Sequence, residues 1–146
     1  MKRIFVATDG SAGANEAVTE AIELASMLDA ELLFVSVQHA PPPPLGVPPY
    51  YVADPDAYET ARAAVEEALE KATDAAVEAT GEVLPASADP AHRIVEEARK
   101  ADVDLIVLGS RGLGTIAGAL LGSVSRSVVR NADRPVLVAR ARVAVS

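Results

Sequence analysis

Val103-Asp-Leu-Ile-Val-Leu108-Gly109-Ser-Arg-Gly112, then a nine-residue spacer, then Gly122-Ser123-Val124-Ser125: this stretch decides how the chain is read. Leu105 to Leu108 is an apolar strand, the glycines turn it into a loop, and the second glycine-serine group opens a helix running from near Ser123 to about Asn131. A strand, a glycine loop and a helix start in that order turn several backbone N–H groups toward one point, which is how a chain meets a phosphate. Gly109 lets the chain leave the strand without a side chain blocking the crevice, and Gly112 permits backbone angles or a ligand approach that a Cβ would hinder. Gly122 opens the helix so that the amides of Ser123, Val124 and Ser125 face an anion. The helix dipole adds roughly 0.3–1 kcal/mol per exposed charge. The hydroxyls of Ser123 and Ser125 are further donors to phosphate oxygens. A plainer reading stands beside this one: Ser123 caps the helix and the glycines only turn the loop. As one spaced set behind an apolar strand, the phosphate reading is the stronger.

Two better-known signatures do not fit. Walker A requires Gly-Lys-[Ser/Thr], which is absent. Gly112-Leu-Gly114-Thr-Ile-Ala117 matches the dinucleotide fingerprint in letters, but that motif needs an acidic residue at the tip of the following strand. The candidate, Asp133, precedes the last strand instead.

Outward from this stretch, strand and helix alternate along the chain. Arg3 to Thr8 is an apolar run ending in Asp9-Gly10-Ser11, a turn and helix-cap signal. Ala17, Ala21, Leu24, Ala25 and Leu28 recur at helical spacing, and Glu31 to Val37 reads as a second strand. An alanine-rich helix is expected over about Asp56 to Ala79, and a weak third strand within Glu82 to Ser87. Asp89-Pro90 caps a helix through Lys100, and Pro135 to Ala139 is the last strand. Single helices between strands imply right-handed crossovers and a parallel sheet covered on both faces. Pro85 lies inside the expected third strand, which puts that strand at an edge. The expected fold is therefore α/β: one domain over residues 1–146, an open parallel five-stranded sheet in the order 3-2-1-4-5 with helices on both faces. That order makes strands one and four neighbours at a topological switch point, where ligands bind outside the carboxyl ends. Asp9 ends the first of these strands and Gly109 the other, so two signals converge on one crevice.

The segment Pro41-Pro-Pro-Pro44-Leu-Gly-Val-Pro48-Pro49 blocks helix and favours extended backbone. It reads as a stiff surface loop over the crevice mouth, packed down by Tyr50, Tyr51 and Tyr58, or as a polyproline site for a partner.

Composition narrows the function. The net charge of −8 disfavours nonspecific binding to nucleic acid or anionic membrane. The acidic residues read as solvated helix faces or as adaptation to high salt. With no cysteine there is no disulfide, thiol chemistry or thiolate metal site, and His39 and His92 are too separated for a zinc site. No signal peptide or membrane-spanning run is evident, so a cytoplasmic protein is expected. No P-loop lysine and no evident general base accompany the motif, so fast turnover of a nucleotide is not expected and no catalytic residue is assigned.

The glycine pattern resembles the Gly-x2-Gly-x9-Gly-[Ser/Thr] signature of the universal stress protein family, in its ATP-binding branch. The resemblance covers nearly the whole chain, through Ile4-Phe-Val-Ala-Thr-Asp9-Gly-Ser11, Asp89-Pro90-Ala-His-Arg-Ile94, Ala101 to Gly112, Leu121 to Ser125 and Arg134-Pro135-Val-Leu-Val138. It implies an adenine nucleotide alpha hydrolase-like fold and a nucleotide-binding regulatory protein of the stress response, binding ATP or else ADP or AMP. It also implies that Ala7, Thr8 and Asp9 line the adenosine end, with Asp9 near the ribose and Val37 contacting adenine through its backbone. For Asp9, a turn residue capping the first helix is the equal alternative. Leu108, Gly109 and Gly112 would lie along the ribose and phosphates, and Gly122, Ser123, Val124 and Ser125 would hold the phosphates. Mg²⁺ or Mn²⁺ would come with the phosphates rather than on protein ligands. A homodimer is implied, paired through the last strand at Val136, Leu137 and Val138 and prolonged by Arg140 to Val145. One departure stands out: the spacer Leu113 to Leu121 carries no charge where basic residues are common in the family, which weakens triphosphate binding or favours AMP or ADP. Arg111 and Arg126 are the nearest cations. A slow ATPase and a nucleotide-free dimeric interaction module are the alternatives.

Overall fold

The computed structural model describes residues 1–39, 44–48, 54–110 and 122–140. Within them the chain runs β1 (Arg3–Ala7), α1 (Ala12–Leu28), β2 (Glu31–Val37), α2 (Ala57–Asp74), β3 (Ala79–Leu84), α3 (Pro90–Lys100), β4 (Leu105–Gly109), α4 (Ser123–Asn131) and β5 (Val136–Ala139). All pairings are parallel, as the crossovers imply, and the sheet order is the expected β3-β2-β1-β4-β5.

Alternation along the strands divides the core into two halves. Ile4, Val6, Leu32, Phe34, Leu105 and Val107 face α1 and α2. Phe5, Val35, Ile106 and Leu108 face α3 and α4. The helices meet the sheet through small residues, Ala17, Ala21 and Ala25 on α1 and Ala68 and Ala72 on α2. This close approach suits a chain with few aromatics, because bulk is not available to fill a wider gap.

Two helix starts follow their sequence signals. Ser11 caps α1, its hydroxyl accepting from the Ala14 N–H at 3.3 Å. Asp89 caps α3, its carboxylate accepting from the His92 N–H at 3.1 Å, with Pro90 in the first turn.

The second crossover, from β2 through α2 to β3, differs from the expectation. The helix stops at Asp74 instead of continuing to Ala79. Ala76 adopts a left-handed backbone (φ 57°), and the Val77 N–H returns to Ala72 O at 2.9 Å. The chain thereby enters β3 early enough for Ala79 to pair with Leu32. Nothing in the alanine-rich sequence marks this stop, because alanine has no intrinsic reason to end a helix. The strand expected within Glu82 to Ser87 is thus Ala79–Leu84, and Pro85 follows it rather than sitting inside it. The edge position of β3 holds, but the proline serves to end the strand.

Pro41 to Pro43, Tyr50 and Tyr51, Arg111 to Leu121 (with Gly112 and the spacer) and Arg142 to Val145 lie outside the described residues. Among the described residues, no helix is long and apolar enough to cross a membrane.

Candidate functional site

The last registered pair between β1 and β4 is Val6 with Val107. Beyond it the two strands turn to different neighbours. The Thr8 N–H donates to Val35 O of β2 at 2.9 Å, and the Ser110 N–H donates to Ala139 O of β5 at 2.9 Å. The sheet therefore parts between the carboxyl ends of β1 and β4, which is the switch point.

On the β1 side the backbone makes a compact turn. The Thr8 side chain is buried, and its hydroxyl accepts from the Gly10 N–H at 3.4 Å. Gly10 has φ +80°, a left-handed conformation that glycine takes without strain. The Asp9 carboxylate accepts from the Ser11 N–H at 2.9 Å, so it braces the entry into α1. Asp9 is only half-buried. Ala7 ends β1 on the inner wall, packed against the α3–α4 half of the core. Val37 ends β2 and, with Ala7 paired to Val35, reaches beyond the end of β1.

On the β4 side, Leu108 is buried and Gly109 closes the strand. A Cβ on Gly109 would lie 2.5 Å from Gly13 O and 2.6 Å from Gly13 C. Gly109 is thus where β4 meets the first turn of α1 backbone to backbone. The sequence suggested a side-chain-free exit from the strand and did not indicate Gly13 as its neighbour.

Ser110 is the hinge between β4 and α4. Its carbonyl accepts from the Gly122 N–H at 2.6 Å and from the Ser125 hydroxyl at 3.0 Å. The same hydroxyl lies 3.1 Å from Gly122 O. Ser110, Gly122 and Ser125 are all buried, and Ser123 is exposed. A hydroxyl has one hydrogen, so in this geometry Ser125 donates within the chain and the hydroxyl at the open face belongs to Ser123. Val124 packs against the α3–α4 half of the core.

Gly122 caps α4 with extended backbone and no side-chain bond. The first intrahelical bond is from the Arg126 N–H to Gly122 O at 3.0 Å. The amides of Ser123, Val124 and Ser125 precede it, at the positive end of the helix dipole.

At the opposite end of the sheet is a charged latch that the sequence reading did not assign. The Arg134 guanidinium donates through Nη1 to Val103 O at 2.9 Å and Ala98 O at 3.3 Å, and through Nε to Asp133 at 3.0 Å. Arg134 and Arg99 hold the Asp133 carboxyl down at about 2, the hydrogen bond from Arg134 being the larger cause. The Asp104 carboxyl is also lowered, by the N–H groups of Lys2 and Arg3. A groove of about 260 Å³ between α3 and α4, lined by Asp89, His92, Glu96, Arg99, Ser127 and Asn131 among others, lies away from the strand ends. Among the described residues no group of three or more acidic or histidine side chains is arranged to hold a metal ion.

The model of the universal stress protein family matches residues 1–140. Universal stress protein YxiE of Bacillus subtilis is 32% identical over 147 residues, covering 94% of this chain and 98% of the relative. A universal stress protein family structure from Burkholderia pseudomallei is 30% identical with a TM-score of 0.76, covering 96% of each chain. A universal stress protein solved in complex with cAMP is also 30% identical, with a TM-score of 0.68, covering 94% of this chain and 95% of the other.

Proposed function

The chain belongs to the universal stress protein family, and from that premise we propose that it is a cytoplasmic regulatory protein of the stress response that binds an adenine nucleotide between β1 and β4. One observation carries the reading: the Ser110 carbonyl holds Gly122 and Ser125 where the sheet parts. This keeps the leading amides of α4 beside the end of β4, poised for phosphate oxygens. The relative solved with cAMP supports an adenosine phosphate as the ligand class.

In this reading Ala7, Thr8, Asp9 and Val37 take the adenosine end. Leu108, Gly109 and Gly112 run along the ribose and phosphates. Gly122, Ser123, Val124 and Ser125 take the phosphates, Ser125 through its amide. ATP, ADP and AMP are the ligands to compare, with Mg²⁺ or Mn²⁺ carried by phosphate oxygens and water. Among the described residues the outer edge of β5 has no neighbouring strand, and Val136, Leu137 and Val138 on it are half-buried. A second copy pairing there would cover an apolar edge, which supports a homodimer.

The test is calorimetric titration of ATP, ADP and AMP with Mg²⁺ onto the wild type and Gly122→Val, each checked for an intact fold by circular dichroism. Binding by the wild type and loss in the variant is the expected result. No binding by folded wild type would sink the reading in favour of a nucleotide-free interaction module. Steady-state phosphate release distinguishes a slow ATPase from a binding regulator.

A further inference from the structure

A polyanion bound to a chain of net charge −8 needs a local cation, and the spacer Leu113 to Leu121 has none. The sheet brings one to the site from another part of the sequence. Ala139 pairs with Gly109, and its carbonyl accepts the Ser110 N–H at 2.9 Å. Arg140 is the next residue, so it stands beside Ser110, whose own carbonyl holds Gly122 and Ser125. Leu137 and Ala139 pack toward α1 and α2, and Val136 packs toward α3 and α4. Alternation therefore carries Arg140 to the face of α4, at the end of the sheet where that helix begins.

Arg140 is also available. It is exposed. All of the chain's aspartates and glutamates fall within the described residues. The ion pairs given for them engage Arg3, Arg62, Lys71, His92, Arg99, Lys100 and Arg134, and none of these engages Arg140. Arg126, in the first turns of α4, is already engaged within the chain.

We propose that Arg140 is a specificity residue of the nucleotide site, its guanidinium pairing with the outer phosphates in place of the missing spacer cation. The proposal rests on the nucleotide reading above. A planar guanidinium binds phosphate oxygens in a bidentate fork, so its contribution grows with phosphate charge and vanishes for a neutral nucleoside.

The experiment titrates adenosine, AMP, ADP and ATP, with and without Mg²⁺, onto the wild type, Arg140→Gln and Arg130→Gln. Arg130 is likewise exposed and without a carboxylate partner among the described residues, but sits in the last turn of α4, away from the crevice. It controls for the change in net charge. For Arg140→Gln we expect ATP affinity to fall about tenfold, AMP by less, and adenosine by less than about twofold. Arg130→Gln is expected to leave all four ligands within about twofold of wild type. Equal loss for adenosine and ATP, or no loss for either, would overturn the proposal. So would equal losses in the two variants. Failure of the wild type to bind any of the four would overturn the nucleotide reading itself and this proposal with it.

Discussion

The amide of Gly122 donates to the carbonyl of Ser110 at 2.6 Å, although residues 111–121 lie between them in sequence. This bond, with the Ser125 hydroxyl on the same carbonyl, ties the end of β4 to the start of α4. A helix start held in this way presents its free amides to one place, which limits the ordering cost when an anion binds.

Ser123 and Ser125 of α4 are expected to separate stability from binding. Ser125→Ala removes a buried donor and leaves Ser110 O with Gly122 alone, costing about 0.5–1.5 kcal/mol. Ser123→Ala changes an exposed side chain and is expected to stay within about 0.5 kcal/mol of wild type while weakening nucleotide binding. Urea unfolding and calorimetry on both variants check this. Equal destabilisation by the two substitutions would contradict the assignment.

Gly109→Ala places a Cβ against the Gly13 carbonyl, a rigid backbone atom of α1. The helix has to move away from the sheet, and a loss of about 1–3 kcal/mol is expected by chemical denaturation. A stability equal to wild type would mean that α1 does not approach β4 this closely.

Gly81 has the same constraint against a side chain. A Cβ there would overlap Val65 Cγ1 and crowd Leu69 Cδ1 at 3.1 Å. Val65 is buried and β-branched, so it has little rotamer freedom to yield. Gly81→Ala should cost about 1–3 kcal/mol, and Gly81→Ala with Val65→Ala should recover part of it in a double-mutant cycle.

Acid is expected to weaken the fold through Asp133. Its folded-state value near 2 lies below the ordinary 3.8, so its stabilising share is fully present above about pH 4. That share is lost as pH falls from about 4 through 2. Asp104, also lowered, acts in the same direction. Asp133→Asn should therefore be less stable than wild type at pH 6, and the gap should close as pH approaches 2. A gap that is constant across that range would exclude the carboxylate as its source.

Much of the architecture was legible in the chain. The strands Glu31–Val37 and Val136–Ala139, the helix from Asp89 and the helix from Gly122 follow from apolar runs and caps. These signals act within one turn or one strand, so a local window contains them. The stop of α2 at Asp74 was not legible, because Ala75 and Ala76 carry no breaker. It is imposed by the register of β3 on β2.

For the candidate site, the sequence supplied the crevice, since placing the third strand at an edge gives the order 3-2-1-4-5, and the apolar runs ending at Asp9 and Gly109 then belong to adjacent strands. It did not supply the neighbours. That Gly109 meets Gly13, and that Arg134 reaches Ala98 and Val103, depends on how helices pack across the sheet. The same is true of Arg140 standing beside Ser110. The sequence by itself determined the order of elements and the parallel sheet with its switch point, because periodicity, caps and chirality are local physics. Only the tertiary structure decided which buried groups touch, because those contacts join segments far apart in the chain and are set by packing and register.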